Sequence, residues 1–162
     1  MTTDESYPLE GGCDCRRLRY RITTPPLYVH CCHCRWCQRE TGSAFALNAM
    51  VEAEGVSLLS GYPEKVLTPS ASGKGQVIVR CPICRVAVWS HYGAAGEKVK
   101  FLRVGTLDDP DRYPPDIHIF TASKQPWVNL EGGAPAVAEY YQRSRYWPAA
   151  SVARYETLLG RA

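Results

Sequence analysis

The order of apolar and polar positions predicts a mainly β chain with a short helical end. Residues 17–22 alternate charged and apolar side chains, the period-two pattern of a half-buried strand. Apolar or alternating runs predict further strands over residues 45–53, 56–59, 65–67, 76–80, 86–92, 99–104 and 117–120. A glycine-rich stretch at 93–96 joins two of them as a hairpin. Residues 38–43 form a short turn or helical piece that ends at Gly42. Thr24, Pro25 and Pro26 break the first strand, and residues 68–75 are a small, polar loop. The Gly73-Lys74-Gly75 in that loop lacks the spacing of a phosphate-binding loop. Residues 107–116 carry three prolines and four aspartates and form another loop. From Ala134 the pattern changes: Pro135 can open one helix, and residues 151–159, stopped by Gly160, form a second. The organisation expected is a loose leader over 1–10, one β domain over 11–133, and a helical extension over 134–162 packed on it.

Composition narrows the class without naming a chemistry. The chain has 162 residues, 45% apolar and 22% charged, a globular balance large enough for one core. No apolar run approaches the ~20 residues that span a bilayer, so no membrane partner is expected. The acidic N-terminus has no signal-peptide core, which points to a cytoplasmic location. In a reducing cytosol clustered cysteines serve metals more readily than disulfides, although eight cysteines leave a disulfide framework open. The formal charge is +3. Seven cysteine thiolates on two zinc ions would bring it to zero, so bulk charge gives nucleic-acid binding no support. Arg17, Arg19 and Arg21 form a stripe that could hold an anion or simply face solvent.

The chemistry concentrates at His30, Cys31, Cys32, His33, Cys34, Arg35, Trp36 and Cys37. Four of the eight cysteines and two of the four histidines lie in this eight-residue stretch. Cys32, Cys34 and Cys37 make a C-x-C-x-x-C run that can turn three sulfurs toward one zinc ion. Three thiolates leave a fourth position open, the mark of a catalytic site; Cys31, His30 or His33 could close it and make the site structural. Two further pairs, Cys13 with Cys15 and Cys81 with Cys84, would form a closed four-cysteine site. Alternatively, Cys81 and Cys84 join the central run and leave Cys13 and Cys15 idle.

The cysteine order, Gly105-Thr106-Leu107-Asp108, and His118-Ile119-Phe120 followed by Ser123-Lys124-Gln125-Pro126-Trp127 together resemble one family. That family is the glutathione-dependent formaldehyde-activating enzymes, which include centromere protein V. The resemblance runs from about Gly11 to Leu130. It implies a β-tent of antiparallel sheets with zinc knuckles and two zinc ions per chain. Its structural zinc cysteines match Cys13, Cys15, Cys81 and Cys84, and its catalytic ones match Cys32, Cys34 and Cys37. It implies a carbon–sulfur lyase or synthase whose partners are a small thiol and an aldehyde, glutathione and formaldehyde giving S-(hydroxymethyl)glutathione. Arg85 departs from the family pattern, standing where glycine usually follows the second cysteine pair, and left-handed backbone suits arginine poorly. Cys31 is an extra thiol, and the tail after Ala134 lies outside the match.

The residues leave the roles around the metal open. His33, His91 and His118 are possible proton donors, each more often structural. Arg35, Arg39 and Lys124 could anchor carboxylates, and Trp36 and Trp127 could wall a pocket. Two other classes stay in play: a non-catalytic zinc module that binds a macromolecule, and a thiol carrier in which Cys31 or Cys34 forms mixed disulfides.

Overall fold

The computed structural model describes residues 7–70, 72–130 and 132–160. Strand β3 (Tyr28–Cys32) is the key to the architecture, because all five of its residues are buried. It pairs antiparallel with β4 (Ala46–Glu52) and parallel with β10 (Ile117–Ile119). Strands β9 (Val99–Arg103), β8 (Ala87–Tyr92), β7 (Gln76–Arg80) and β6 (Glu64–Thr68) continue antiparallel, giving a seven-stranded order β10-β3-β4-β9-β8-β7-β6. A second sheet holds β1 (Leu9–Gly12), β2 (Arg19–Ile22) and β5 (Val56–Ser60).

Strand alternation divides the large sheet into two faces with separate cores. Val29, Ala49, Val51 and Leu102 pack with Tyr20 and Ile22 of the small sheet and with Trp89. On the other face, Tyr28, Cys32, Met50 and Val99 pack with Trp147 and Tyr155. Tyr155 belongs to α3 (Ala149–Leu159), and Trp147 follows the single turn α2 (Arg143–Tyr146). Burying both faces explains why β3 shows no polar alternation.

Several local expectations shift. Leu9 and Glu10, assigned to the leader, begin β1; residues 1–6 lie outside the described residues. Residues 93–98 join β8 to its antiparallel neighbour β9 as expected, but as a 3-10 segment, with Gly93 and Gly96 at positive φ. Pro135 opens no helix. Residues 135–139 instead run beside the open edge of β10, exchanging backbone hydrogen bonds between Pro135, Val137 and Glu139 and His118 and Phe120. Satisfying that edge outweighs helix propensity in a segment that starts with two glycines and a proline. The first helix instead spans Arg35–Thr41 as α1, closed by Gly42 at φ 66.

The arginine stripe of β2 is not a free anion site. Arg21 binds Glu10, and Arg19 binds Asp108 with a 2.7 Å bond from Nη1 to Oδ1. Arg85 does occupy left-handed backbone, at φ 65, and its guanidinium pairs with Glu64.

Candidate metal centre and active site

Two turns, one near the start of the chain and one at its middle, bring four cysteines together. Cys13 and Cys15 follow β1, while Cys81 and Cys84 link β7 to β8. Their ligating atoms lie within 4.8 Å of one another, with Cys13–Cys15 sulfurs 3.5 Å apart and Cys15–Cys81 sulfurs 3.7 Å apart. A tetrahedral ion with sulfurs at about 2.3 Å sets them about 3.8 Å apart, so the cluster fits zinc with little movement. Backbone hydrogen bonds from Cys15 and Val86 pull the Cys84 thiol down to about 6, while burial raises Cys13 to about 11. Strand β1, which leads into the first turn, needs a small residue at Gly11: a Cβ there would sit 2.5 Å from the Tyr20 hydroxyl oxygen.

The second cluster sits where β3 hands over to α1. Cys32 ends the strand, Cys34 is the helix N-cap, and Cys37 lies one turn on. The three sulfurs lie within 4.8 Å of one another. Among the described residues, no fourth His, Cys, Asp or Glu joins them. The Cys37 backbone N–H donates to Cys34 Sγ at 3.3 Å. Hydrogen bonds with Cys32 and Cys37, and backbone N–H groups of Cys37 and Trp36, draw the Cys34 thiol far below its ordinary value. The hydrogen bond with Cys34 raises Cys32 to about 12, and bonds with Cys32 and Cys34 raise Cys37 as well. Negative charge is thus favoured at Cys34 over its two neighbours.

Helix α1 is locked to the sheet by a charge network that the sequence reading missed. The Glu40 side chain, only 7% exposed, pairs with Arg80 of β7 and with Arg103 of β9, the latter at 3.1 Å. Arg103 also binds Asn48 of β4. No short-range pattern links positions 40, 80 and 103; only the sheet order does.

Outside the thiol cluster, Arg35, Arg39, Gln125 and Trp127 border a groove of about 710 Å³ along α1. Trp127 is 70% exposed there, whereas Trp36 does not line it. Lys124 is turned inward, donating to the carbonyls of Gln125 and Val128. A second groove, about 500 Å³, is walled by Tyr140, Tyr141, Arg145 and Tyr146 of the C-terminal segment. The three thiols line neither groove.

The histidines do not face the thiol triplet as a group. His91 Nδ1 donates to the Val99 carbonyl at 3.0 Å. His30 Nε2 meets the Tyr141 hydroxyl at 2.5 Å. His33 Nε2 lies 3.1 Å from His118 Nδ1 and 3.5 Å from Cys31 Sγ. This third cluster was also missed, although Cys31 and His33 share the i, i+2 parity of one strand face.

With both cysteine clusters assembled, the comparison with known proteins is decisive. Residues 8–123 match the model of the glutathione-dependent formaldehyde-activating enzymes. The chain belongs to that family. A Halomonas elongata protein carrying the family's name is 26% identical over 130 residues, covering 76% of this chain and 81% of its own. A solved Rhodobacter sphaeroides protein superposes on 80% of this chain and 100% of its own, at TM-score 0.49 and 15% identity. The family match ends at residue 123, so the segment that closes the edge of β10 and covers the β3 face lies beyond it. Among the described residues, no helix is long and apolar enough to cross a membrane.

Proposed function

We propose that this chain is a cytoplasmic zinc-dependent carbon–sulfur lyase or synthase joining a small thiol to an aldehyde, with glutathione and formaldehyde giving S-(hydroxymethyl)glutathione. The observation that carries the reading is the contrast between the two cysteine clusters, one with four ligands and one with three. Four thiolates complete a tetrahedral ion; three leave a position for a substrate. Cys13, Cys15, Cys81 and Cys84 hold the structural ion, and Cys32, Cys34 and Cys37 the catalytic one. When bound at the triplet, zinc supplies a site that keeps an incoming thiol deprotonated and close to a polarised aldehyde.

The chain's own residues do the rest. The N–H groups of Cys37 and Trp36 stabilise negative charge at Cys34, so the triplet is prepared for a cation. Glu40 fixes α1, and with it Cys34 and Cys37, against β7 and β9. Arg35 and Arg39 flank the groove beside Trp127, which suits the two carboxylates of glutathione. The new carbon–sulfur bond joins the thiolate sulfur to the carbonyl carbon, and the carbonyl oxygen takes a proton. With His91 bound to a carbonyl and His33 and His118 facing each other, that proton comes from water, which the half-buried Cys34 and Cys37 can meet. Net charge −1 on a three-thiolate zinc weakens polarisation, so thiol capture and proximity contribute most.

The test is a zinc-loaded crystal soaked with glutathione. The reading expects the glutathione sulfur about 2.3 Å from a metal at the triplet. A fourth protein ligand at that metal, with glutathione excluded, overturns it.

A further inference from the structure

We propose that Cys31, His33 and His118 form a third metal site, separate from both cysteine clusters, which takes a divalent ion of zinc type. The site follows from strand register. In the parallel pair β3–β10, His118 stands opposite Cys31, and the i, i+2 relation brings His33 to the same side. Cys32, next in sequence, points to the other face and belongs to the triplet. All three residues are buried, Cys31 at 2%, His33 at 0% and His118 at 9% exposure.

Two of the three edges are close to those of a bound ion, as well as to hydrogen bonds. Their ligating atoms all lie within 4.8 Å of one another. Zinc with sulfur at about 2.3 Å and nitrogen at about 2.0–2.1 Å holds a sulfur–nitrogen edge of about 3.5 Å and a nitrogen–nitrogen edge of about 3.3 Å. The structure has 3.5 Å and 3.1 Å. A neutral ring nitrogen has one hydrogen or one lone pair, directed along one line. Yet His33 Nε2 faces the Cys31 sulfur and the His118 nitrogen together, and an ion at their junction serves all three. His33 Nδ1 is buried without a partner, so no hydrogen bond on that side fixes the tautomer.

The frame around the site is rigid. His33 N–H donates to the Ile119 carbonyl at 3.0 Å, and the His33 carbonyl accepts from Gln38 and Ser123 at 2.7 and 3.0 Å. Backbone held this way keeps a ligand in place without the metal. An ion held by these three residues would tie β10 to β3 directly behind Cys32. Softness favours Zn²⁺ or Co²⁺ over Mg²⁺ or Ca²⁺.

The experiment is anomalous diffraction at the zinc absorption edge from wild-type crystals equilibrated with millimolar Zn²⁺. The expected result is a discrete peak bounded by Cys31 Sγ, His33 Nε2 and His118 Nδ1. In His118→Gln that peak disappears, while any peaks at the cysteine clusters stay. No peak at this position in the wild-type map overturns the proposal, whatever the other two sites hold. A peak that survives both His118→Gln and Cys31→Ala overturns it too. Each site is read separately, so failure here is distinct from failure of the two cysteine centres.

Discussion

Replacing Glu40 by alanine should loosen the helix that carries Cys34 and Cys37. Glu40 reaches across two strands to Arg80 and Arg103, whose side chains are 27% and 13% exposed against its own 7%. Removing one partner of a buried pair costs about 3–5 kcal/mol, because the remaining charge is left uncompensated. Arg80 can turn to water, and Arg103 keeps its bond to Asn48, so the low end, about 3 kcal/mol, applies. For a chain of this size each kcal/mol shifts Tm by roughly 2–4 °C, which gives a fall of about 6–12 °C. Circular dichroism melting of zinc-loaded Glu40→Ala measures it. Glu40→Gln, which keeps one acceptor, should lose about half as much. A Tm within about 2 °C of wild type for Glu40→Ala would mean that the network is effectively solvated, and the reasoning would be refuted.

The other predictions concern the structural cluster and the surface. Cys13→Ser or Cys81→Ser should yield insoluble or partly unfolded protein, since four ligands from distant turns assemble only on folding. Fully folded wild-type protein containing no zinc would contradict this. The Arg19 hydrogen bond and charge hold the Asp108 carboxyl below its ordinary pKa, so the pair stabilises above about pH 4 and that contribution is lost as pH falls through the lowered value. With Asp108 55% exposed, Asp108→Asn should cost at most about 1 kcal/mol at pH 7 and progressively less as pH falls below about 4, by urea unfolding. A larger deficit at pH 3 than at pH 7 would reverse the sign and reject the assignment.

What was legible in the sequence was local. Cysteine spacing carries its own geometry: C-x-C and C-x-x-C turns place sulfurs together whatever surrounds them, so each pair was legible, whereas spacing alone left open whether 81 and 84 join 13 and 15 or the central run. Alternation found most strands because one face of each is buried. Long-range register was not legible. Glu40 meeting Arg80 and Arg103, Arg19 meeting Asp108, and His118 meeting Cys31 each depend on which strands are neighbours. Pro135 misled because local propensity favours a helix start, whereas the open edge of β10 offered backbone partners that only tertiary structure supplies.

The central claim is tested most directly by exchange NMR between glutathione and its hydroxymethyl adduct. The two combine slowly unaided, so the quantity to measure is acceleration at equilibrium, where no net conversion intervenes. Zinc-loaded wild type should speed the exchange, and Cys34→Ser should do so far less, because the open metal position is needed to hold the thiolate. Equal rates in wild type, Cys34→Ser and buffer would contradict the account and favour a non-catalytic zinc module.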